Sequence, residues 1–499
     1  MARSSDPSAP DQVLDTGKTV ILAFAIGAAA MNASGQIVAV LVLRFLTDNL
    51  AISAGIAAAL FAVVKIYDGF VDPFAGYLSD NTKSRWGRRV PYLLAASVMM
   101  PVAIVGMFAV PNIGNGVLLL VYVGFMLALH GTAYSLYSVP SSAMIVEVCD
   151  GYHARSTILA YRTYGGFVGQ ILGSSVPPWL LQAWGAGRDG HAAMGWVMGG
   201  IVFALCIVTI PMLRSARATV NEARHPGRFV DQLKVAWRNR PFRIMVFVHV
   251  IFMIGVATAS VSNAYFTRYV LQRTDTWLGL FYVFLTAGNI LAVPVWLRLS
   301  KRFDKKNTYV AALGLYGLAV LSWVVAGPHE TLWVLGARVT VIGAMMSGVV
   351  LLAASMLTDA VRYDYVTTGL RREGAFSGFM SFVDKVSNAA GLMIMGATLS
   401  VMGYAASDSG TAQVQSSGAV MAIQICFAII PALAPLLSIL LLRGYSLTEA
   451  DLDEMAVPIM EAAVLEETIP EAVADALLAP EPAHHAAPIP GRTPREARA

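Results

Sequence analysis

The sequence predicts an all-α membrane protein with about twelve transmembrane helices in two six-helix bundles. Three observations carry that expectation. Of the 499 residues, 57% are hydrophobic and only 13% are charged, a balance that ordinary soluble folds of this length do not show. Apolar runs of about eighteen or more residues recur along the chain, each long enough to cross a hydrocarbon core about 30 Å thick as a helix. These runs are continuous instead of alternating. A helix also satisfies its own backbone hydrogen bonds in lipid, which favours helices over barrel strands.

The expected spans are 19–46, 53–79, 91–112, 115–145, 156–182, 193–213, 243–268, 276–298, 308–327, 331–357, 374–402 and 418–443. Residues 1–18 are polar and lack an apolar core, so they read as a cytoplasmic N-terminal segment and not as a cleavable signal. Basic residues cluster after the even-numbered spans: Lys83, Arg85, Arg88 and Arg89, then a set from Arg214 to Arg243, then Arg298, Lys301, Arg302, Lys305 and Lys306, then Arg371 and Arg372. The opposite loops hold little beyond Arg188, Arg268 and Arg273. The positive-inside rule then expects an inner-membrane protein with both termini cytoplasmic. This bias accounts for the formal net charge of +4 without a nucleic-acid partner. Cys149, Cys206 and Cys426 lie far apart and show no metal-ligand spacing.

The first bundle is expected over 19–213 and the second over 243–443, joined by a basic cytoplasmic linker, 214–242. Gly76 to Asp80 and Arg88-Arg89 after span two are echoed by Leu297 to Lys301 and Lys305-Lys306 after span eight. Such duplication marks two-bundle transporters, with the site between the halves near the midplane. A tail, 444–499, starts with a capping-like Thr448-Glu-Ala-Asp451, continues acidic and Ala-rich, and ends Pro-rich with a disordered composition.

A charge deep in a spanning helix costs at least about 2.5 to 3.5 kcal/mol on insertion scales, so each needs a partner or a function. In span two, Lys65, Asp68 and Asp72 follow each other by three and four residues and share one helix face. Pro73 removes a donor and leaves the Gly69 carbonyl without its helical partner. Two carboxylates and a loose carbonyl are hard oxygen ligands suited to Na⁺, or to H⁺ if one carboxylate titrates. The competing reading is a packing salt bridge from Lys65, although one lysine cannot neutralise two aspartates. Span four offers the hydroxyls of Tyr134, Ser135 and Ser138, which in such a helix can equally bond back to the preceding turn. Arg162 and Lys385 place one cation inside each half, suited to a polyhydroxylated or anionic substrate. Their alternatives are snorkelling for Arg162 and pairing with Asp384 for Lys385, whose neighbouring positions point apart on a helix. His130 and His249 read as packing or hydrogen-bonding groups. Nucleophile elbow, phosphate loop and nucleotide fingerprint are all missing, so the reading is not an enzyme and has no cofactor beyond a coupling cation.

The stretch Lys65 to Arg89, KIYDGFVDPFAGYLSDNTKSRWGRR, resembles the signature of the glycoside-pentoside-hexuronide:cation symporters, the melibiose-carrier branch of the major facilitator superfamily. The resemblance continues through DGYHARSTILAYR (150–162), NAYFTRYVL (263–271), DAVRYDYVTTGLRREG (359–374) and Lys385, covering roughly residues 20 to 455. It implies the major facilitator fold, alternating access and a central cavity for substrate and cation. It further implies cation ligands Asp68, Asp72, Ser135 and Ser138, and substrate contacts among Asn32, Lys65, Tyr134, Ser142, Arg162, Lys385 and Asn388. A cytoplasmic gate would involve Arg85, Asp150, Arg155, Asp359, Arg371 and Glu373. The departures concern the sugar clamp: Asn32 and Ser138 stand where melibiose carriers have aspartates, Ser142 where they have a tryptophan, and Arg362 where the family has an acid. Losing two acids while keeping Arg162 and Lys385 suits an anionic glycoside, a uronide or sulfonated sugar. The expected partners are a small-molecule substrate and the lipid bilayer, with no obligate protein partner. The alternatives are a cation-coupled carrier of lysophospholipid or another amphiphile and, from another class, a membrane-embedded sensor or enzyme.

Overall fold

A computed structural model describes residues 18–82, 84, 86–114, 116–148, 152–214, 237, 239–368, 373–406 and 414–447. Among these residues the chain forms twelve long helices and no strand. The first six are α1 (Lys18–Asp48), α2 (Ala54–Asn81), α3 (Val90–Phe108), α4 (Val117–Val148), α5 (Tyr152–Trp184) and α6 (Arg188–Arg214). The second six are α7 (Arg240–Val270), α8 (Asp275–Phe303), α9 (Lys305–Val325), α10 (Leu332–Thr368), α11 (Glu373–Val401) and α12 (Ser417–Leu442). Ten of them are long and apolar enough to cross a membrane, and the other two, α5 and α11, carry the candidate cations Arg162 and Lys385. The expected linker 214–242 lies outside the described residues except at its ends, as does the tail from 448 onward. By contacts the two bundles fall within one unit of the chain, 1–361 with 371–446.

Local chemistry sets the helix ends. Asn239 caps α7 by accepting from the Phe242 amide, Asp304 accepts from Lys306 N in the one-residue turn between α8 and α9, and Ser416 caps α12 through Ala419 N. Asp304 takes a φ of 69°, which an aspartate tolerates better than most residues. Helix α10 continues well past its expected end at 357, to Thr368. Its 37 residues reach about 55 Å at 1.5 Å per residue, more than a bilayer core needs. Hydropathy marks where a helix meets lipid, not where its hydrogen bonding stops.

Helices α1 and α5 approach backbone to backbone. Gly165, Gly169 and Gly173 recur every fourth residue on α5, and a Cβ on any of them would strike the carbonyl oxygens of Ala25, Ala29 or Ala33 on α1. Small residues in this spacing let two helices pack without a hydrophobic driving force, which lipid does not provide. Two further seams join the halves. Ser175 Oγ of α5 donates to Gly279 O of α8 at 2.8 Å, and Gly396 of α11 lies against Ala58 of α2.

Two glycines separate packing from propensity. Gly169→Val should lower the detergent-solubilised melting temperature, because a side chain there overpacks the α1–α5 seam at a cost of about 1–3 kcal/mol or more. Gly200→Ala, whose new Cβ would meet nothing within 4 Å, should leave the melting temperature unchanged or slightly raised.

Candidate functional site

The residues of α2 singled out by spacing meet the opposite half of the molecule. Lys65 Nζ donates to Asp68 Oδ2 at 3.1 Å, as their shared helix face requires. Lys385 reaches across from α11. Its ammonium lies 2.5 Å from Asp72 Oδ2 and donates to the Asp68 carbonyl oxygen at 2.8 Å. Two lysines therefore face two aspartates, and the charge that Lys65 alone leaves unmatched is met by the second half. Lys385 does not pair with its neighbour Asp384, which instead lies 2.5 Å from His249 Nε2 of α7. Ser135 Oγ of α4 donates to Asp72 Oδ1 at 2.5 Å. The remaining Asp68 oxygen, Oδ1, is buried without a hydrogen-bond partner. Gly131 of α4 faces it, and any Cβ at that position would overlap the carboxylate.

Of these groups Lys65, Asp68, Gly131, Ser135, Asp384 and Lys385 line a cavity of about 360 Å³ between the halves, together with Tyr134, His130 and Asn388, and Asp72 lies just behind them through its contacts with Ser135 and Lys385. His130 is held by Ser34 of α1, Nε2 to Oγ 2.7 Å, and so packs as a hydrogen-bonded group. A smaller cavity of about 60 Å³ lies within the first half, lined by Asn32, Ser138, Ser141, Arg162 and, shared with the larger one, Tyr134. Arg162 Nη2 donates to Ser142 Oγ at 3.0 Å. The expected ligand set thus divides: Ser135 touches an aspartate, whereas Ser138 faces the pocket of Arg162. Asn32 and Asn388 are exposed although both sit well inside long helices; their amide groups donate to Ala28 O and Asp384 O of their own helices. Polar side chains exposed at that depth face a water-filled space, because lipid would not solvate them.

At the opposite end the space is shut. Residues 40–50 of α1 and its following turn are all buried. Arg44 pairs with Asp275 at the start of α8, 2.5 Å, and Thr47 Oγ1 meets Tyr265 OH of α7 at 2.8 Å. Asp48, 1% exposed, accepts from Tyr404 OH at 2.6 Å and Tyr269 OH at 3.2 Å and lies 3.5 Å from Arg268. Helices α1 and α7 each widen to a π turn close to this network, at Val38–Val42 and Phe266–Val270. Sequence reasoning missed this cluster. The signal available for it was the presence of Arg44, Asp48 and Asp275 at the ends of apolar runs.

Of the expected gate, Asp359 forms an ion pair with Lys305, 2.9 Å, inside the second half. Arg85, Asp150 and Arg371 lie outside the described residues, and so do the side chains of Arg155 and Glu373.

A family model described as MFS/sugar transport protein matches residues 23–449. The isoprimeverose transporter of Lactiplantibacillus pentosus is 30% identical over 394 residues, covering 77% of this chain and 80% of that protein. The glucuronide carrier protein homolog of Escherichia coli (strain K12) is 25% identical, covering 88% and 94%. Among solved structures, a bacterial homolog of the human lysosomal transporter Spinster, inward-facing and unoccupied, superposes with a TM-score of 0.63 at 11% identity over 85% of this chain and 97% of that one, a likeness of fold.

The contact of Gly131 with Asp68 is directly testable. Gly131→Ala should push the carboxylate off its present position and lower the melting temperature of the purified protein, at an overpacking cost of about 1–3 kcal/mol. An unchanged melting temperature would show that the Asp68 carboxylate moves aside without cost.

Proposed function

Since the chain belongs to the MFS/sugar transport family, we propose a secondary active transporter that reads its substrate in the central cavity and couples Na⁺ or H⁺ to symport of a sugar, glycoside or uronide by alternating access. The observation that carries this reading is the inter-half bridge from Lys385 to Asp72 and the Asp68 carbonyl. Asp68 Oδ1, Asp72 and Ser135 Oγ supply hard oxygens on α2 and the α4 face packed against it. A cation bound there, or a proton on Asp72, competes with the Lys385 ammonium for the same oxygens. Release of that ammonium towards the cavity offers a positive charge to substrate, so cation and substrate favour each other's binding. Coupling of this kind amounts to about 1–3 kcal/mol in linked systems.

The names of the two relatives, a transporter of isoprimeverose and a glucuronide carrier homolog, support a glycoside or uronide. Arg162, held by a hydroxyl, keeps its charge available for an anionic group. With the basic loops cytoplasmic in an inner membrane, the Arg44–Asp275 end faces outward and the cavity opens inward.

Asp68→Asn and Asp72→Asn should each abolish gradient-driven accumulation; if both variants still concentrate substrate in vesicles, the cation assignment fails. Binding of a glycoside panel with and without Na⁺ at two pH values distinguishes the ions. Na⁺ coupling raises affinity on adding Na⁺ at either pH, and H⁺ coupling raises it at the lower pH without Na⁺. Arg162→Gln should weaken uronides by about tenfold, ~1.4 kcal/mol, more than the matching neutral glycosides. Equal losses for both classes would remove Arg162 from anion recognition.

A further inference from the structure

A second cavity, of about 150 Å³, lies beside the central one and shares Ser260 of α7 with it. Its walls are aromatic. The Trp323 ring of α9 lies 5.5 Å from that of Phe427 of α12, and Phe281 of α8 stands 6.1 and 6.2 Å from the two. Asn263 and Tyr282 bring polar atoms into this box, at 2% and 4% exposure. By hydrogen-bond geometry neither the nitrogen nor the oxygen of the Asn263 amide is satisfied, nor is the Tyr282 hydroxyl, which has the Asn263 and Ser260 side chains beside it. Gln36 of α1 and Gln170 of α5 line the same space from the first half.

Buried polar atoms are normally paired, and leaving them unpaired is costly. An amide with both ends unmatched, set against aromatic faces, fits a ligand that brings a donor and an acceptor on an otherwise apolar ring face. Adjacent hydroxyls of a pyranose do this, while its axial C–H groups pack on the aromatic rings. The volume corresponds to about five waters at ~30 Å³ each, commensurate with one ring. We propose that this cavity is a second sugar-ring subsite, which holds the distal ring of a two-ring glycoside whose first ring occupies the central cavity. The assignment rests on the reading of the chain as a sugar symporter. It makes Asn263 and Tyr282 determinants of length specificity, separate from the charged groups on α2 and α11.

The test compares affinities of purified full-length protein for probe pairs that share a first ring: methyl xyloside with isoprimeverose, methyl glucoside with cellobiose, and methyl glucuronide with a glucuronosyl-glucose. In Asn263→Ala and in Tyr282→Phe, the ratio of two-ring to one-ring affinity should fall about tenfold. Tyr282→Phe removes only the hydroxyl beside Asn263 and Ser260 and keeps the ring and its packing, so it tests the idea with the least change to the fold. Ratios within twofold of wild type in both variants, or losses that strike both ring classes in proportion, overturn the subsite while leaving the sugar reading intact. Wild-type protein that binds none of the six probes overturns the sugar reading and the subsite with it.

Discussion

The ammonium of Lys385 lying against Asp72 and the Asp68 carbonyl is the interaction on which the arrangement of the two halves turns. Four charges in an apolar bundle are tolerable only as a matched set, since each alone costs at least about 2.5–3.5 kcal/mol on insertion scales. Helix α2 cannot match them by itself: along its apolar stretch it sets the single Lys65 against both Asp68 and Asp72. The missing charge has to arrive from another helix, and the one that supplies it belongs to the opposite half. Anything that takes over Asp72 therefore frees a cation on the far wall of the cavity. On the proposed symport reading, ion occupancy and the relation between the halves become one equilibrium.

The sealed end obeys the same electrostatics with a different purpose. Arg44, Asp48, Asp275 and Arg268 are joined there with the tyrosines Tyr265, Tyr269 and Tyr404 in a buried network. A buried ion pair is seldom more stabilising than well-packed apolar groups of the same volume, because desolvation offsets much of the attraction. A seam that must open in a transport cycle gains from that near-balance, and it gains specificity from the geometry that every hydrogen bond demands. The glycine seam between α1 and α5 contrasts with it. It lies within one half, is closed by backbone contact, and has no groups that exchange partners.

Much of this was legible in the sequence for physical reasons that are local. The length and continuity of apolar runs specify spanning helices, the spacing of Lys65, Asp68 and Asp72 places them on one face, and the loop charges set the expected topology. The hydroxyl of Ser135, which the family resemblance singled out and its helix position left open, reaches an aspartate. Ser138, three residues on, turns instead to the pocket of Arg162, because about 300° of helical rotation carries it to the adjacent face. Lys385 was recognisable as a charge in need of a partner, yet its partner, 313 positions away by residue number, was not. The Arg44–Asp275 pair, separated by 231 positions, was hidden for the same reason.

By itself, then, the sequence determined what each helix must do: cross the membrane, carry certain charges on a certain face, and require compensation for them. Tertiary structure alone decided who compensates whom. It brought Lys385 to α2, left Asp68 Oδ1 open beside a glycine, sealed one end with Arg44 and Asp275, and set unpaired Asn263 in an aromatic box. The division follows from range. Helix formation and hydropathy are read over a few turns of chain, whereas pairing of buried charges depends on which distant helices pack face to face.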